Sequence, residues 1–359
     1  MRVRIYFGTY PSHGDDGEPE GIWQGTLNRN NGAIEGLVRE VEISSPSFVT
    51  LDEQGSLYAV SEDEEGTLTQ FSVAENGTLE FVGSASTQGR HPCHVIVSSG
   101  VVVATNYSSG SVFAHSTPLA ATQASQGEPT GELFQQFGTG PVADRQEGPH
   151  AHFAAQVPGT QYVWVADLGA DTVFKYQMAP GPRGRSLKSL GSAVTLPAGS
   201  GPRHIAFGPG DLAYVAGELD PQIFVIKVDQ ATGNGALIGQ VPAGTPVEGK
   251  PNYPSHIEVS EDGTRLFTAV RGTDTLSVHA LDGQGGVDLL GEVSVGGAWP
   301  RHFRALGAGE GELADLELVV VANQNSATLD TLAVDLNKGS GRVVSSSPLE
   351  VAACVLPVK

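Results

Sequence analysis

A repeat of about fifty residues constrains this chain more than any other feature of its sequence. Seven short runs of β-forming residues recur along the 359 residues, and the positions that directly follow them are separated by 53, 45, 61, 50, 53 and 53 residues. A period near fifty with several short strands in each unit is typical of a β-propeller. The seven runs are 5–8, 58–61, 103–106, 164–167, 214–217, 267–270 and 320–323.

The segments between these runs also indicate strands. Residues 172–177 and 222–227 are rich in aromatic and β-branched side chains, and Gly, Pro and Asp cluster between such stretches. No segment shows a sustained helical period of apolar residues. The sequence therefore predicts an all-β fold in which residues 1–359 form one seven-bladed propeller, with four antiparallel strands in each blade.

The two ends of the chain are predicted to complete one blade. The first repeat starts at its second strand, so its first strand is missing at the N-terminus. Residues 353–358 resemble the first strand of other repeats, such as 92–97. Pairing of the C-terminal strand with the N-terminal strand would close the ring and remove its exposed edges.

The charge of the chain limits its partners. It carries 20 Lys and Arg against 40 Asp and Glu, a formal charge of −20, which disfavours nucleic acid and anionic membrane surfaces as partners. No segment reaches the ~18 apolar residues of a membrane helix, and the N-terminus lacks the features of a signal peptide. Cys93 and Cys354 are too few for a disulfide scaffold. We expect a cytoplasmic protein that is a monomer or a small homo-oligomer.

Polar residues gather where the first strand of each repeat begins. Seven of the ten histidines lie in five such stretches, and Arg203, Arg271, Arg301 and Arg304 stand at motif positions of the same repeat. Equivalent positions in successive blades lie around one axis, so we expect these side chains at one mouth of the channel, binding a small anion with carboxylate or phosphate groups. The predicted substrate-binding residues are His94, His204, His256, Arg301, His302 and Gln324.

Structural interpretations stay open beside the functional ones. The four histidines two places after a proline, at 94, 204, 256 and 302, could tie each blade to its neighbour by hydrogen bonds. Glu218 could form a buried ion pair with Arg203. His150 and His152 could supply two metal ligands from one strand, but local spacing specifies no third, so no metal is predicted. The longest insertion, from about 117 to 148, includes a polar loop at 120–129, and its role as a lid is open.

At these residues the sequence resembles the seven-bladed-propeller lactonases, a family that includes a bacterial 6-phosphogluconolactonase type and a fungal 3-carboxy-cis,cis-muconate lactonising enzyme. The resemblance covers essentially the whole chain. Its most specific part is 145–152, which reads Arg-Gln-Glu-Gly-Pro-His-Ala-His. Its other parts are 6–10, 91–95, 104–107, 166–171, 201–204, 218–220, 271–274 and 321–324.

The resemblance implies an active site of one His, two Arg and one Glu, without metal or another cofactor. In this chain these are His150 or His152, Arg203, Glu218 and Arg271. Family members often have Asn before the Glu and before the second Arg, where this chain has Gly217 and Val270. The implied reaction is hydrolysis of a small anionic sugar lactone, with 6-phosphogluconolactone as the default. A His or the Glu activates water, Arg203 holds the oxyanion or a carboxylate, and Arg271 anchors the anion.

Two other functions stay open. A carboxymuconate cyclase would use the same residues to close a lactone. A non-catalytic interaction propeller would instead place exposed aromatic or apolar residues at the mouth, where this sequence has His and Arg.

Overall fold

Short strands dominate the chain, as the repeat predicts. The structure, a computed structural model, describes residues 2–11, 20–119, 131–181 and 184–358. Within these ranges, 28 strands and one short 3₁₀ helix, Gly311–Leu313, make up the regular structure. The strands form seven antiparallel sheets of four strands, which we call blades 1 to 7.

The strand boundaries follow the repeat along the chain. In chain order the strands are β1 (Arg2–Thr9), β2 (Ile22–Asn28), β3 (Ile34–Val41), β4 (Val49–Leu51), β5 (Leu57–Ser61), β6 (Thr67–Val73), β7 (Leu79–Ser86), β8 (Pro92–Ser98), β9 (Val101–Asn106), β10 (Ser111–Ser116), β11 (Glu132–Gln135), β12 (Ala151–Gln156), β13 (Tyr162–Asp167), β14 (Thr172–Gly181), β15 (Gly184–Thr195), β16 (Pro202–Gly208), β17 (Leu212–Gly217), β18 (Gln222–Asp229), β19 (Asn234–Pro242), β20 (Tyr253–Val259), β21 (Arg265–Arg271), β22 (Thr275–Leu281), β23 (Val287–Ser294), β24 (Pro300–Ala308), β25 (Glu317–Asn323), β26 (Thr328–Asp335), β27 (Ser340–Pro348) and β28 (Ala352–Pro357).

Blade 1 contains both ends of the chain. Its strand order is β28–β1–β2–β3, and blades 2 to 7 follow as consecutive groups of four from β4 to β27. Strand β28 pairs antiparallel with β1, with Phe7 opposite Val355. Both side chains are buried in the same apolar cluster. The predicted completion of the first blade by the C-terminal strand is confirmed.

The seven β-rich runs lie in the second strands of the blades. Their central residues are apolar because both faces of these strands are covered, and every residue of β5, β9 and β17 is buried, including the polar residues Ser61, Thr105 and Asn106 at strand ends. Continuous burial explains why the runs stand out in the sequence more clearly than the outer strands, which alternate between buried and exposed residues.

The described chain divides into two compact units, each with its own apolar clusters. The first unit comprises Met1–Ile43, Ala206–Ile226 and Ile238–Lys359, and the second comprises Ser44–Ile205 and Lys227–Leu237. In the first unit Phe267 of blade 6 packs with Phe303 of blade 7. In the second unit Val103 of blade 3 packs with Val165 of blade 4. Burial between neighbouring blades stabilises each unit.

Part of the insertion predicted at 117–148 belongs to a blade. Strand β11 lies inside it and pairs with β10 as the fourth strand of blade 3. Four alternating residues are too few to identify a strand from sequence alone. The loop predicted at 120–129 lies outside the described residues. No helix in the described ranges is long and apolar enough to cross a membrane.

Candidate active site

The first strands of several blades contain a β-bulge that takes one residue out of the strand ladder. The residue left out of register is Cys93 in β8, His152 in β12 and Arg301 in β24. Bulges of this kind re-aim a side chain and are common beside active sites. Arg203 follows the first residue of β16 just as Arg301 follows the first residue of β24.

The bulge also shows how blade 4 differs from the others. Pro92 and Pro300 are the first residues of their strands, whereas Pro149 comes two residues before β12 begins at Ala151. Counting from the proline therefore selects His150, two residues before the equivalent strand position. His152, not His150, occupies the position that Arg301 has in blade 7.

In the second unit, His150 is held by hydrogen bonds and by an aromatic ring. Its Nδ1 donates to the carbonyl oxygen of Tyr107 at 3.0 Å, and its Nε2 lies 3.2 Å from Oε1 of Glu147. The imidazole stacks on the ring of Tyr107, with centroids 4.6 Å apart. Because both ring nitrogens face oxygen acceptors, this geometry suits a group that donates hydrogen bonds.

His152 contacts the same tyrosine. Its ring is edge-on to Tyr107 at a centroid distance of 5.5 Å and to His204 at 5.3 Å. Nδ1 of His152 is 3.9 Å from the Sγ of Cys93, and the side chain is 6 % exposed. The structure thus places three predicted residues of one unit near one another: Tyr107 contacts His150 and His152, and His152 contacts His204.

Arg203 is the most deeply buried charged residue of this group, with 1 % of its surface exposed. Burial first, and the Arg203 guanidinium second, hold the pKa of His94 well below its usual range. His94 is therefore neutral, and its Nδ1 accepts a hydrogen bond from the backbone N–H of Ala154 at 3.2 Å. This contact joins blade 3 to blade 4, as the structural interpretation of these histidines requires.

In the first unit, Glu218 and Arg271 form a buried ion pair. Nη2 of Arg271 lies 2.7 Å from Oε2 of Glu218, and both side chains are less than a tenth exposed. Arg271 also donates to the carbonyl oxygen of Tyr253 at 3.3 Å, and its guanidinium lies 5.4 Å from the ring centroid of Trp299. Arg271 follows Glu218 by 53 residues, one repeat, so the ion pair joins blade 5 to blade 6.

The remaining predicted residues of the first unit make different contacts. The rings of His256 and His302 stack at 4.0 Å, and Nδ1 of His302 accepts a hydrogen bond from the backbone N–H of Val355 at 3.3 Å. Arg301 donates to the hydroxyl of Tyr10 and lies over its ring at 4.7 Å. The backbone N–H of Gln324 donates to the carbonyl oxygen of Trp299 at 3.1 Å.

Several residues beside these groups were absent from the predicted set. Tyr107 directly follows β9, just as Glu218 follows β17, so its place in the repeat was a usable signal. Arg145 donates from Nη2 to the Tyr107 hydroxyl at 3.3 Å and belongs to the most specific motif. Asp167 accepts the backbone N–H of His150 at 2.7 Å, and burial raises its pKa to about 6.

No cluster of three potential metal ligands occurs within residues 2–11, 20–119, 131–181 and 184–358. The predictions of a metal-free site, a cytoplasmic location, a single domain over 1–359, and a monomer or small homo-oligomer stay predictions.

The blades and the His/Arg/Glu groups agree with one family of enzymes. Residues 4–357 match the family model described as lactonase, 7-bladed beta-propeller. The chain therefore belongs to the seven-bladed β-propeller lactonase family, which confirms the predicted fold and the predicted enzyme class.

Relatives with names or solved structures agree with this membership. The chain is 32 % identical over 306 residues to the 6-phosphogluconolactonase of Bacillus subtilis, covering 83 % of each chain. It is similar to the periplasmic gluconolactonase of Pseudomonas aeruginosa, with 26 % identity, a TM-score of 0.86 and coverage of 100 % of this chain and 99 % of that one. A protein from Lactobacillus plantarum is 29 % identical, with a TM-score of 0.84 and full coverage of both chains.

Proposed function

We propose that this chain hydrolyses a small sugar lactone that bears an anionic group, and that 6-phosphogluconolactone is the first substrate to test. Membership of the lactonase family and the name of the Bacillus subtilis relative support this substrate class. The observation that carries the proposal is the buried group of the second unit. It comprises the buried cation Arg203 on the first strand of blade 5, His152 on the first strand of blade 4, and His150 immediately before that strand.

These residues match what lactone hydrolysis needs. Water adds to the carbonyl carbon, negative charge develops on the carbonyl oxygen, and the ring C–O bond then breaks. The proton lost by water ends on the former ring oxygen, which gives a hydroxy acid. Arg203 is proposed to donate to the developing oxyanion, a contact typically worth about 3 kcal/mol. A positioned base that accepts the water proton contributes roughly 10²–10⁴-fold.

We assign the base to His152. Its bulge position is the one that Arg301 occupies in blade 7, so the strand directs it away from the ladder. His150 instead has an oxygen acceptor at each ring nitrogen, from Tyr107 and Glu147, so neither nitrogen is placed to accept a proton from water. Replacing His152 by Asn should lower kcat far more than replacing His150 by Asn.

Glu218 and Arg271 are proposed as a separate functional pair. Arg271 anchors an anionic group of the substrate, and Glu218 orients the guanidinium and is the alternative base. The two are 2.7 Å apart and nearly inaccessible, so removing either one leaves a buried charge uncompensated. Arg301 and Gln324 are proposed as further substrate contacts, as are His204 and His256. The bonds of His94 and His302 to neighbouring strands favour a structural role for those two.

The direct test measures acid release in a pH-stat, corrected for spontaneous hydrolysis of the lactone. Arg203→Ala should lower kcat/KM by roughly 10²–10³-fold, since it removes an oxyanion donor. Glu218→Ala should also be impaired, and far-ultraviolet circular dichroism confirms that each variant is folded. Full activity of both folded variants would exclude this site.

The substrate profile of the parent protein separates the alternatives. Turnover of carboxymuconate without turnover of phosphogluconolactone would replace hydrolysis by cyclisation. Turnover of neither substrate class by the folded protein would overturn the proposed hydrolysis and leave an interaction propeller.

A further inference from the structure

Arg145 is fixed in place by its backbone and by its neighbour in the sequence. Its N–H donates to the carbonyl oxygen of Val142 at 2.9 Å. The next residue, Gln146, has no exposed surface, and its Nε2 donates to the carbonyl oxygen of Leu168 at 2.9 Å and to Oδ1 of Asp171 at 2.7 Å. The segment that presents Arg145 is therefore anchored to blade 4.

The Arg145 side chain reaches the tyrosine that contacts both candidate catalytic histidines. Its Nη2 lies 3.3 Å from the hydroxyl of Tyr107, whose ring contacts the imidazoles of His150 and His152. The guanidinium is thus at the hydroxyl end of the ring, while both imidazoles lie around its body. A cation stands about one aromatic ring away from the groups proposed to act on the lactone carbonyl.

This separation matches the chemistry of a phosphorylated sugar lactone. In 6-phosphogluconolactone the phosphate is carried by the exocyclic carbon attached to the ring carbon beside the ring oxygen, so the phosphorus lies several bonds from the carbonyl carbon. A guanidinium binds phosphate through two parallel N–H donors and is the side chain best suited to that planar, charged contact. In a chain of formal charge −20, a cation beside the imidazoles is a specific local feature.

One acid lies close to this position. Oε1 of Glu147 is 3.2 Å from Nε2 of His150, and its side chain is 63 % exposed. A backbone hydrogen bond first, then His150 and Arg145, lower the pKa of Glu147, so it is ionised at neutral pH. Its negative charge repels a bound phosphate, so removing this charge should strengthen phosphate binding, the opposite of the effect expected from removing Arg145.

We propose that Arg145 binds the phosphate group of a phosphorylated sugar lactone and so determines whether this chain prefers phosphorylated substrates. The assignment rests on the lactonase function proposed above. It gives Arg145 a role in specificity, distinct from the acid–base and oxyanion roles of His152 and Arg203.

The test compares 6-phosphogluconolactone with unphosphorylated gluconolactone on the full chain. Arg145→Ala should raise KM for the phosphorylated lactone by roughly 10–100-fold, the usual effect of losing a charge-assisted contact, with gluconolactone kinetics unchanged. Arg145→Lys should show an intermediate loss, and Glu147→Gln should lower KM for the phosphorylated lactone relative to KM for gluconolactone. Arg90→Ala is the matched control, because Arg90 is 56 % exposed and contacts the adjoining Ser108 carbonyl.

Two results would overturn the proposal. Equal losses on both lactones in Arg145→Ala and Arg145→Lys would show that Arg145 only supports Tyr107. Unchanged selectivity in both folded variants would show that it does not contact the phosphate. Failure of the parent to hydrolyse either lactone would instead refute the proposed function. In that case, titration calorimetry with 6-phosphogluconate tests whether Arg145 binds phosphate. Weaker binding by Arg145→Ala than by the parent would support the proposal, and equal affinity would contradict it.

Discussion

His302 offers a sharp test of whether a repeated histidine serves the fold or the substrate. Its Nδ1 accepts the backbone N–H of Val355 at 3.3 Å, and its ring stacks on His256 at 4.0 Å. Val355 belongs to β28, the end strand of blade 1, so this edge of the strand has no neighbouring strand in its sheet. An acceptor from blade 7 satisfies a buried donor that the sheet itself leaves open.

The expected cost of His302→Ala follows from these two contacts. Leaving the Val355 N–H buried without an acceptor costs about 1–3 kcal/mol. Losing the stacked ring adds about 0.5–1.5 kcal/mol. The free energy of unfolding should therefore fall by about 2–4 kcal/mol. His302→Asn places an amide oxygen near the former Nδ1 and should recover the larger share.

Urea unfolding, followed by tryptophan fluorescence and circular dichroism, measures the stability change at unchanged m-value. Lactone turnover per folded molecule should stay within about threefold of the parent for both variants. A hundredfold fall in kcat/KM with an unchanged unfolding midpoint would refute this reasoning and return His302 to the substrate-binding set. His94→Ala, which removes the equivalent bond to Ala154, should behave in the same way.

Three further predictions follow from buried charges and from the chain ends. Burial raises the pKa of Asp167 from 3.8 to about 6, so its contribution to stability is complete below pH 3.8 and is lost as the pH rises through about 6. The stability difference between the parent and Asp167→Asn, from urea titrations at several pH values, should fall by about 3 kcal/mol across that window, and a flat difference would contradict it. Glu218→Gln should cost about 3–5 kcal/mol, whereas the double variant Glu218→Gln, Arg271→Met should recover most of it, and an additive loss in a double-mutant cycle would disprove their coupling. Deleting residues 352–359 removes β28 and should unfold the protein cooperatively, and an unchanged thermal midpoint would rule out a closing role.

The sequence predicts the blades well because of how their second strands are buried. All six residues of β9 are inaccessible, and the first four, Val101 to Ala104, are apolar, so this continuous run is recognisable in each repeat. The role of β28 could be found for a related reason, since it has the apolar pattern of β8. The short outer strand β11 escaped recognition because alternate residues face solvent over only four positions.

The bulge in the first strand was not predictable from spacing. Strands β8 and β24 begin at their proline, whereas β12 begins two residues after Pro149, so counting from the proline cannot show where β12 begins. The sequence therefore left His150 and His152 equivalent, and only the ladder register separates them. The spacing of Glu218 and Arg271 does indicate their pairing, because residues 53 positions apart, one repeat, occupy the same place in successive blades.

The same repeat that gathers site residues also gathers structural ones, which is why periodicity alone cannot assign function here. Every blade has a first strand with an open edge, and each such edge needs hydrogen-bond acceptors for its buried N–H groups. A histidine two places after the proline meets that need at His94 and at His302. Arg203 is the residue before the histidine of its repeat, as Arg301 is in blade 7. Its charge is not needed to satisfy the N–H groups of a strand edge. The bonding partner, rather than the position in the repeat, therefore separates the histidines that hold the blades together from the residues proposed to act on a lactone.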